Sequence, residues 1–244
     1  AAAGETAGCG AGGRTVTFAA IDQYSEQLGF GSCRIMSRPK LILIGAGGHA
    51  HACIDVIEQH GQYQIAGLVG MLSEMHTPHF GYSVMWTDSD LPELAKQGHF
   101  AVITLGQIQS PDSRMRLYQL ATELGFRLPV IIAPTAHVSR HATIGAGTIV
   151  MHGAIVNAGA RVGNNCIVNT RALIEHDATV DDHCHISTGA ILNGDVNIGA
   201  SSFVGSGSVI KEGISIGKGC VVGMGMYVRH NQPDHARFAG GAKT

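Results

Sequence analysis

The sequence predicts two units in series: a small α/β domain built on a parallel sheet, then a solenoid of short parallel strands. Three observations carry this. From Ile132 to Val228 every sixth residue is Ile, Val or Leu, with no insertion. Four residues after most of these positions the side chain is small. Upstream, apolar runs alternate with helical stretches around a glycine-rich turn.

A fixed short period is the mark of a repeat architecture. A helix needs apolar residues three or four apart and a half-buried strand needs alternation; six fits neither. It fits a flat stretch and a corner, then another of each. The branched residue (Ile132, Val138, Ile144 and so on to Val222 and Val228) points into a narrow prism. The small residue (Ala154, Ala160, Cys166, Ala172, Ala178, Cys184) sits near a corner, where the interior is crowded. Gly and Asn at the corners supply backbone angles that other residues resist. Three hexapeptides make one triangular coil of about 18 residues, and stacked coils satisfy one another's backbone hydrogen bonds over a shared aliphatic core. The solenoid is expected over 132–230, with a tail at 231–244.

Composition narrows the class. The chain has 244 residues, 45% hydrophobic and 14% charged, enough for one or two domains with proper cores. A net charge of −2 gives no footprint for nucleic acid or an anionic membrane. Six cysteines lack a paired spacing, and three of them (Cys166, Cys184, Cys220) fill the small repeat position. They read as core residues of a protein in a reducing cytoplasm. No apolar run is long enough to span a membrane. Residues 1–35 are rich in Ala and Gly and low in complexity, and read as an extension outside the native domain; the alternative is a short helix at 18–29 packed on it.

The α/β domain is expected over 36–131. Leu41–Ile44 is an apolar strand that stops at the turn Gly45-Ala46-Gly47-Gly48-His49-Ala50. A helix follows at about 49–60, with Ala50, Cys53, Ile54 and Ile57 on one face, then a strand at 64–70. A polar loop at 73–90, a helix near 90–97, strands at 100–106 and 128–132 and a helix at 111–125 complete the alternation, which implies a parallel sheet. Glycines between a strand and a helix let the backbone approach a phosphate, and the helix start favours an anion. This is a Rossmann-like βαβ unit. A nicotinamide site would carry an acidic residue at the end of the second strand, where Leu68-Val69-Gly70 has none. A dehydrogenase is therefore discounted, leaving a phosphate-bearing ligand or a purely structural glycine turn.

Among 14 histidines, those at polar interruptions of the repeat are informative. His176 lies two residues after its inward position, so it projects at a corner, beside Asp177. It reads either as a general base sharpened by a carboxylate or as a solvated corner histidine. Gly194 lies one full coil later and should stack beside His176, offering a backbone N–H. His183 and His185 are two apart, too close for the paired-and-distant histidines of a zinc-bearing β-helix enzyme, so no metal is expected. His49 could reach a ligand phosphate or sugar, and His51 reads as a helix-surface residue.

The hexapeptide period resembles the left-handed parallel β-helix of acyltransferases, and the handedness comes from that resemblance. The ordered set GAGGHA, Gly106-Gln107, Arg114, Asn169-Thr170, Ile174-Glu175-His176-Asp177, His183-Cys184-His185-Ile186-Ser187, Gly189-Ala190 and Gly194 resembles the bacillosamine N-acetyltransferase and sialic acid O-acetyltransferase (NeuD/PglD-like) group over residues 38–243. The resemblance implies acetyl-CoA as co-substrate, no metal, and a homotrimer with each site between two β-helices. It implies that His176 takes a proton from a sugar amine with Asp177 behind it, and that His185 and Gly194 meet the thioester end of acetyl-CoA. Asn169 and Gln107 would place the acceptor, and Gly47, Gly48 and His49 would hold a nucleotide sugar. The implied reaction is acetylation of a UDP-4-amino-sugar-type acceptor for bacterial surface glycans. O-acetylation of a sialic acid, or a non-catalytic nucleotide-sugar scaffold, are the alternatives. Two departures stand out: the family's acidic pair after the second strand is Val69-Gly70 here, and its C-terminal proline is missing from Gly240-Gly241-Ala242-Lys243.

Overall fold

The computed structural model describes residues 38–238. The expected extension at 1–35, its alternative helix at 18–29 and the proline-less turn at 240–243 lie outside the described residues. Among the described residues no helix is long and apolar enough to cross a membrane.

The first unit follows the expected alternation. β1 (Lys40–Ile44) leads through the glycine turn into α1 (Gly48–His60) and β2 (Gln64–Val69). α1 ends on Gly61 at φ 71°, a left-handed cap whose N–H returns to Ile57 O. β3 (Pro78–His79) and β4 (Tyr82–Trp86) follow, then α2 (Leu91–Lys96), β5 (Phe100–Ile103) and α3 (Asp112–Glu123). The sheet order is β3-β4-β2-β1-β5, parallel except for the β3–β4 hairpin. That hairpin corrects the loop expected at 73–90. Its strands are short, and Phe80 and Gly81 make the turn at φ 48° and 90°, so only Val84 is buried on β4 and no period shows in the sequence. The strand expected at 128–132 is also corrected: only Ile131–Ile132 is extended, and it belongs to the first coil of the solenoid.

The solenoid runs from β6 (Ile131–Ile132) to β22 (Tyr227–Val228), one two-residue strand per hexapeptide, and each ends on an expected inward aliphatic. Three parallel sheets form the faces of a prism. Partners lie one coil apart, as in Ile155↔Leu173 and Arg161↔Thr179. The inward aliphatics and the small residues form one buried cluster. The small position has a second use. On one column Thr148, Cys166 and Ser202 each accept the backbone N–H of the residue one coil on: Cys166 N at 2.9 Å, Cys184 N at 3.4 Å and Cys220 N at 3.0 Å. This places the three repeat cysteines as buried structural thiols.

The corners carry a regularity that residue types conceal. Every sixth residue from Gly147 to Gly225 has positive φ, among them Asn165, Arg171, Asp177, His183, Asp195 and Ser201. The prism also outlasts the expected boundary at 230. Val221 pairs with Arg237 of β23 (Arg237–Phe238) and Ile216 with Gln232, so the last partial coil closes two residues short of the strict period.

The three faces differ outside. One presents Thr143, Arg161, Thr179, Asn197 and Ser215. A second presents Ile131, Ile149, Ile167, His185 and Phe203, all buried by the α/β unit, and α1 shares its core with the first three. The third presents Ile155, Leu173, Ile191, Val209 and Tyr227, an apolar column with Ile155 39% and Tyr227 62% exposed. Arg114 locks the seam between the units. It is buried, and it donates to Ile103 O (2.6 Å), Leu105 O (2.8 Å) and, from β-helix residue Asn165, its backbone O (3.2 Å). His152 adds a contact to Asp55 of α1 at 2.8 Å.

Candidate active site

The nine residues singled out from the sequence fall in three places. His176, Asp177 and Gly194 meet at one prism corner. His185, Gln107, Asn169 and His49 gather along the seam. Gly47 and Gly48 border a cleft over the sheet.

At the corner, His176 follows β13 (Leu173–Ile174), whose face is the apolar one. Its side chain is 66% exposed. Nδ1 lies 3.0 Å from Asp177 Oδ2. A carboxylate only accepts, so Nδ1 carries the proton and Nε2 is left as a lone-pair acceptor facing solvent. The hydrogen bond to Asp177 holds the imidazole pKa above its ordinary value, with further support from Glu175 and Asp195. Glu175 is itself tied by Asn157 Nδ2 at 2.9 Å. Asp177 supplies the left-handed corner residue at φ 61°, a conformation that Asp and Asn tolerate better than most.

Gly194 lies directly under the ring. A Cβ there would come within 2.6 Å of both Cε1 and Nε2 of His176. Its N–H has no acceptor among the described residues. At another corner of the prism Ala146, Asn164 and Lys218 have theirs capped by a side chain from the next coil, whereas on Gly194's own corner His176 N turns to Glu175 of its own coil. The corner therefore joins an uncapped N–H to an imidazole lone pair in a shallow depression of about 620 Å³, also lined by Asn193 and Glu212. That pairing suits proton removal beside a developing oxyanion. Gly194→Ala is expected to push the ring aside and lower kcat by about 10²-fold with the fold intact, checked by steady-state kinetics beside a circular-dichroism melt.

His185 stands elsewhere. Its Nδ1 contacts Gln107 O at 2.6 Å and its Nε2 receives Asn169 Nδ2 at 3.0 Å. Nδ1 thus carries the proton, and burial lowers the pKa to about 4, so the ring is neutral. With both nitrogens committed inside the chain, His185 docks the β5–α3 loop onto the prism. The structure does not bring it to Gly194 within one chain. Its position on a face was readable from the period; that the α/β unit covers that face was not. Asn169 Oδ1 also accepts Thr170 N at 2.7 Å. Gln107 is buried, with both side-chain amide atoms unpartnered. His49 lies with its ring centroid 6.4 Å from that of His185, and burial together with Arg114 lowers its pKa to about 3. His183 has separate partners, Asn165 and the edge of Tyr118.

The cleft opens at the carboxyl ends of β1, β2, β4 and β5 and holds about 780 Å³. Gly45 and Gly47 of the turn line it, and α1 begins there at Gly48. A Cβ on Gly47 or Gly48 would meet nothing within 4 Å, so nothing within the chain demands these glycines. Their open side and the free helix N–H groups suit a phosphate. The far wall carries residues not singled out from the sequence: Met71, Leu72, Asp88, Ser89 and Arg116. Two acids line the cleft, Glu74 after β2 and Asp88 at the end of β4, both within the stretch expected as a loop.

Comparisons with known proteins agree with this layout. Residues 40–119 match the PglD N-terminal domain, and residues 195–229 match the hexapeptide repeat of succinyl-transferase. The acetyltransferase domain of PglB from Neisseria gonorrhoeae, solved with acetyl coenzyme A, is 33% identical, covering 82% of this chain and 95% of that one at a TM-score of 0.75. PerB from Caulobacter crescentus, solved with CoA and GDP-perosamine, is 30% identical over 85% of this chain and 95% of its own, also at 0.75. WeeI from Acinetobacter baumannii shares the fold at 20% identity and a TM-score of 0.71. No curated protein matches the chain by sequence.

Proposed function

This chain belongs to the PglD-type family of hexapeptide-repeat sugar acyltransferases, an α/β domain joined to a left-handed β-helix, and from that premise we propose that it acetylates the amino group of a nucleotide-linked amino-deoxy sugar. The donor in this reading is acetyl-CoA, the ligand of the PglB domain, and the acceptor belongs to the class of PerB's GDP-perosamine or a UDP-linked 4-amino sugar. The observation that carries it is the His176–Asp177 pair over the uncapped N–H of Gly194.

The steps follow from that geometry. Nε2 of His176 takes the proton of the attacking amine as nitrogen bonds to the acetyl carbon. Gly194 N–H meets the oxygen as it gains charge. The C–S bond then breaks, and the imidazolium returns its proton to the departing thiolate. Asp177 keeps the ring oriented and supports its charged form.

The active unit in this reading is a homotrimer with each site between two β-helices. The apolar column Ile155-Leu173-Ile191-Val209-Tyr227 supports this, because His176 sits on the corner beside it. A neighbouring chain on that face would wall the depression and could bring a second chain's seam residues, Asn169 and Gln107 among them, toward the acceptor.

Thiol release from acetyl-CoA with a panel of UDP-, dTDP-, GDP- and CMP-linked amino sugars tests the reaction, with mass spectrometry locating the acetyl group. An O-acetylated product, or no turnover with any amino sugar, defeats the reading. The pH dependence gives a second check. The base works unprotonated, so kcat/KM rises as pH passes the His176 pKa, which Asp177 holds above 6.5. Asp177→Asn removes that support and moves the acid limb of the profile to lower pH, while keeping a residue that accepts φ 61°. An unmoved limb would separate Asp177 from the base.

A further inference from the structure

We propose that the cleft of the α/β unit selects a guanine nucleotide, with Asp88 and Arg116 reading the base; this rests on the nucleotide-sugar reading above. β1, β2 and β4 lie side by side in that order in the sheet. With strands about 4.8 Å apart, the end of β4 stands roughly 10 Å from the glycine turn after β1. A diphosphate at the turn would put its ribose over β2 and its base over β4. The acid on the ribose side is Glu74, whose Oε2 folds back to Gly70 and accepts Met71 N at 2.8 Å. Gly70 is demanded by packing: a Cβ there would come 2.8 Å from Glu74 Oε2, 3.0 Å from Val84 Cγ1 and 3.2 Å from Ala46 Cβ.

At the base position Met71 and Leu72 expose large apolar side chains, 64% and 81%, which suit the face of a purine. Arg116 Nη2 lies 3.3 Å from Asp88 Oδ2, and both residues line the cleft. Asp88 has no other side-chain partner among the described residues. Side by side, the pair presents one donor followed by two acceptors. That is the sequence of groups on the pairing edge of cytosine, and guanine is its complement. The guanidinium meets O6, and the carboxylate oxygens meet N1–H and the exocyclic N2–H. Uracil and thymine offer a single N–H between two carbonyls, which would set a carbonyl against a carboxylate oxygen. Adenine has no carbonyl for the arginine.

Calorimetry on the full chain with GDP, IDP, UDP, CDP and ADP tests this. GDP is expected to bind at least about tenfold more tightly than UDP, CDP or ADP. IDP, which lacks only the exocyclic amine, is expected to bind about tenfold more weakly than GDP. Asp88→Ala should bring GDP and IDP to parity. Equal binding of GDP and IDP by the unaltered protein, or UDP or ADP matching GDP, overturns the guanine assignment and leaves the nucleotide-sugar reading standing. Binding of no nucleotide, with acetyl transfer to a free amino sugar retained, overturns both.

Discussion

His176→Ala is expected to leave a folded, assembled protein whose kcat/KM falls by about 10²–10⁴. The side chain is mostly exposed, so it contributes little to the core, and the adjacent Ile174 keeps its inward position. What disappears is the imidazole at the corner over Gly194, held by Asp177 at 3.0 Å. Without it the amine must lose its proton to water. The wild-type rise of kcat/KM through the His176 pKa should vanish with the ring, so the deficit should widen as pH rises from 6, a trend that loss of packing would not produce. Thiol-release kinetics from pH 6 to 9 (a range of about three units around the imidazole), beside size-exclusion chromatography, would check both points. Unchanged turnover in a folded variant would remove His176 from the chemistry.

Ile191→Arg is expected to yield folded single chains with activity lowered by more than about 10²-fold. Ile191 is the centre of the apolar column, with Leu173 and Val209 as its immediate neighbours on adjacent coils. It points away from the core of its own prism, where Leu192 occupies the inward position. A charge there costs the isolated chain little. In the trimer proposed above it would be buried between chains without a partner, at a cost of roughly several kcal/mol per interface. If the site is walled by two chains, dissociation removes the positioning that holds amine and thioester together. Light scattering with parallel assays separates the outcomes. Monomers that retain full activity would mean that one chain holds the whole site.

Much of the molecule is legible without coordinates. A two-residue strand and a corner use six residues, so the inward side chain must recur at six, and all the strands from β6 to β22 end where that count places them. The stacking of Gly194 on His176 follows from the same arithmetic. The left-handed corner residues do not show, because Asn, Asp, Arg, His and Ser fill several of them in place of glycine. The β3–β4 hairpin does not show either, since strands so short leave no period. His185 marks the limit most clearly. Its offset set its height on the prism, but its partner Gln107 is 78 residues distant in the chain.

The chain's own repeat determined the solenoid, its inward column and the corner carrying His176, because each depends on residues a fixed short distance apart. Tertiary structure alone decided which outer face the α/β unit covers, which face stays apolar and open, and which strand end brings an acid to the cleft. Those outcomes depend on packing between surfaces whose contacts join residues far apart in sequence, and no spacing along the chain encodes them.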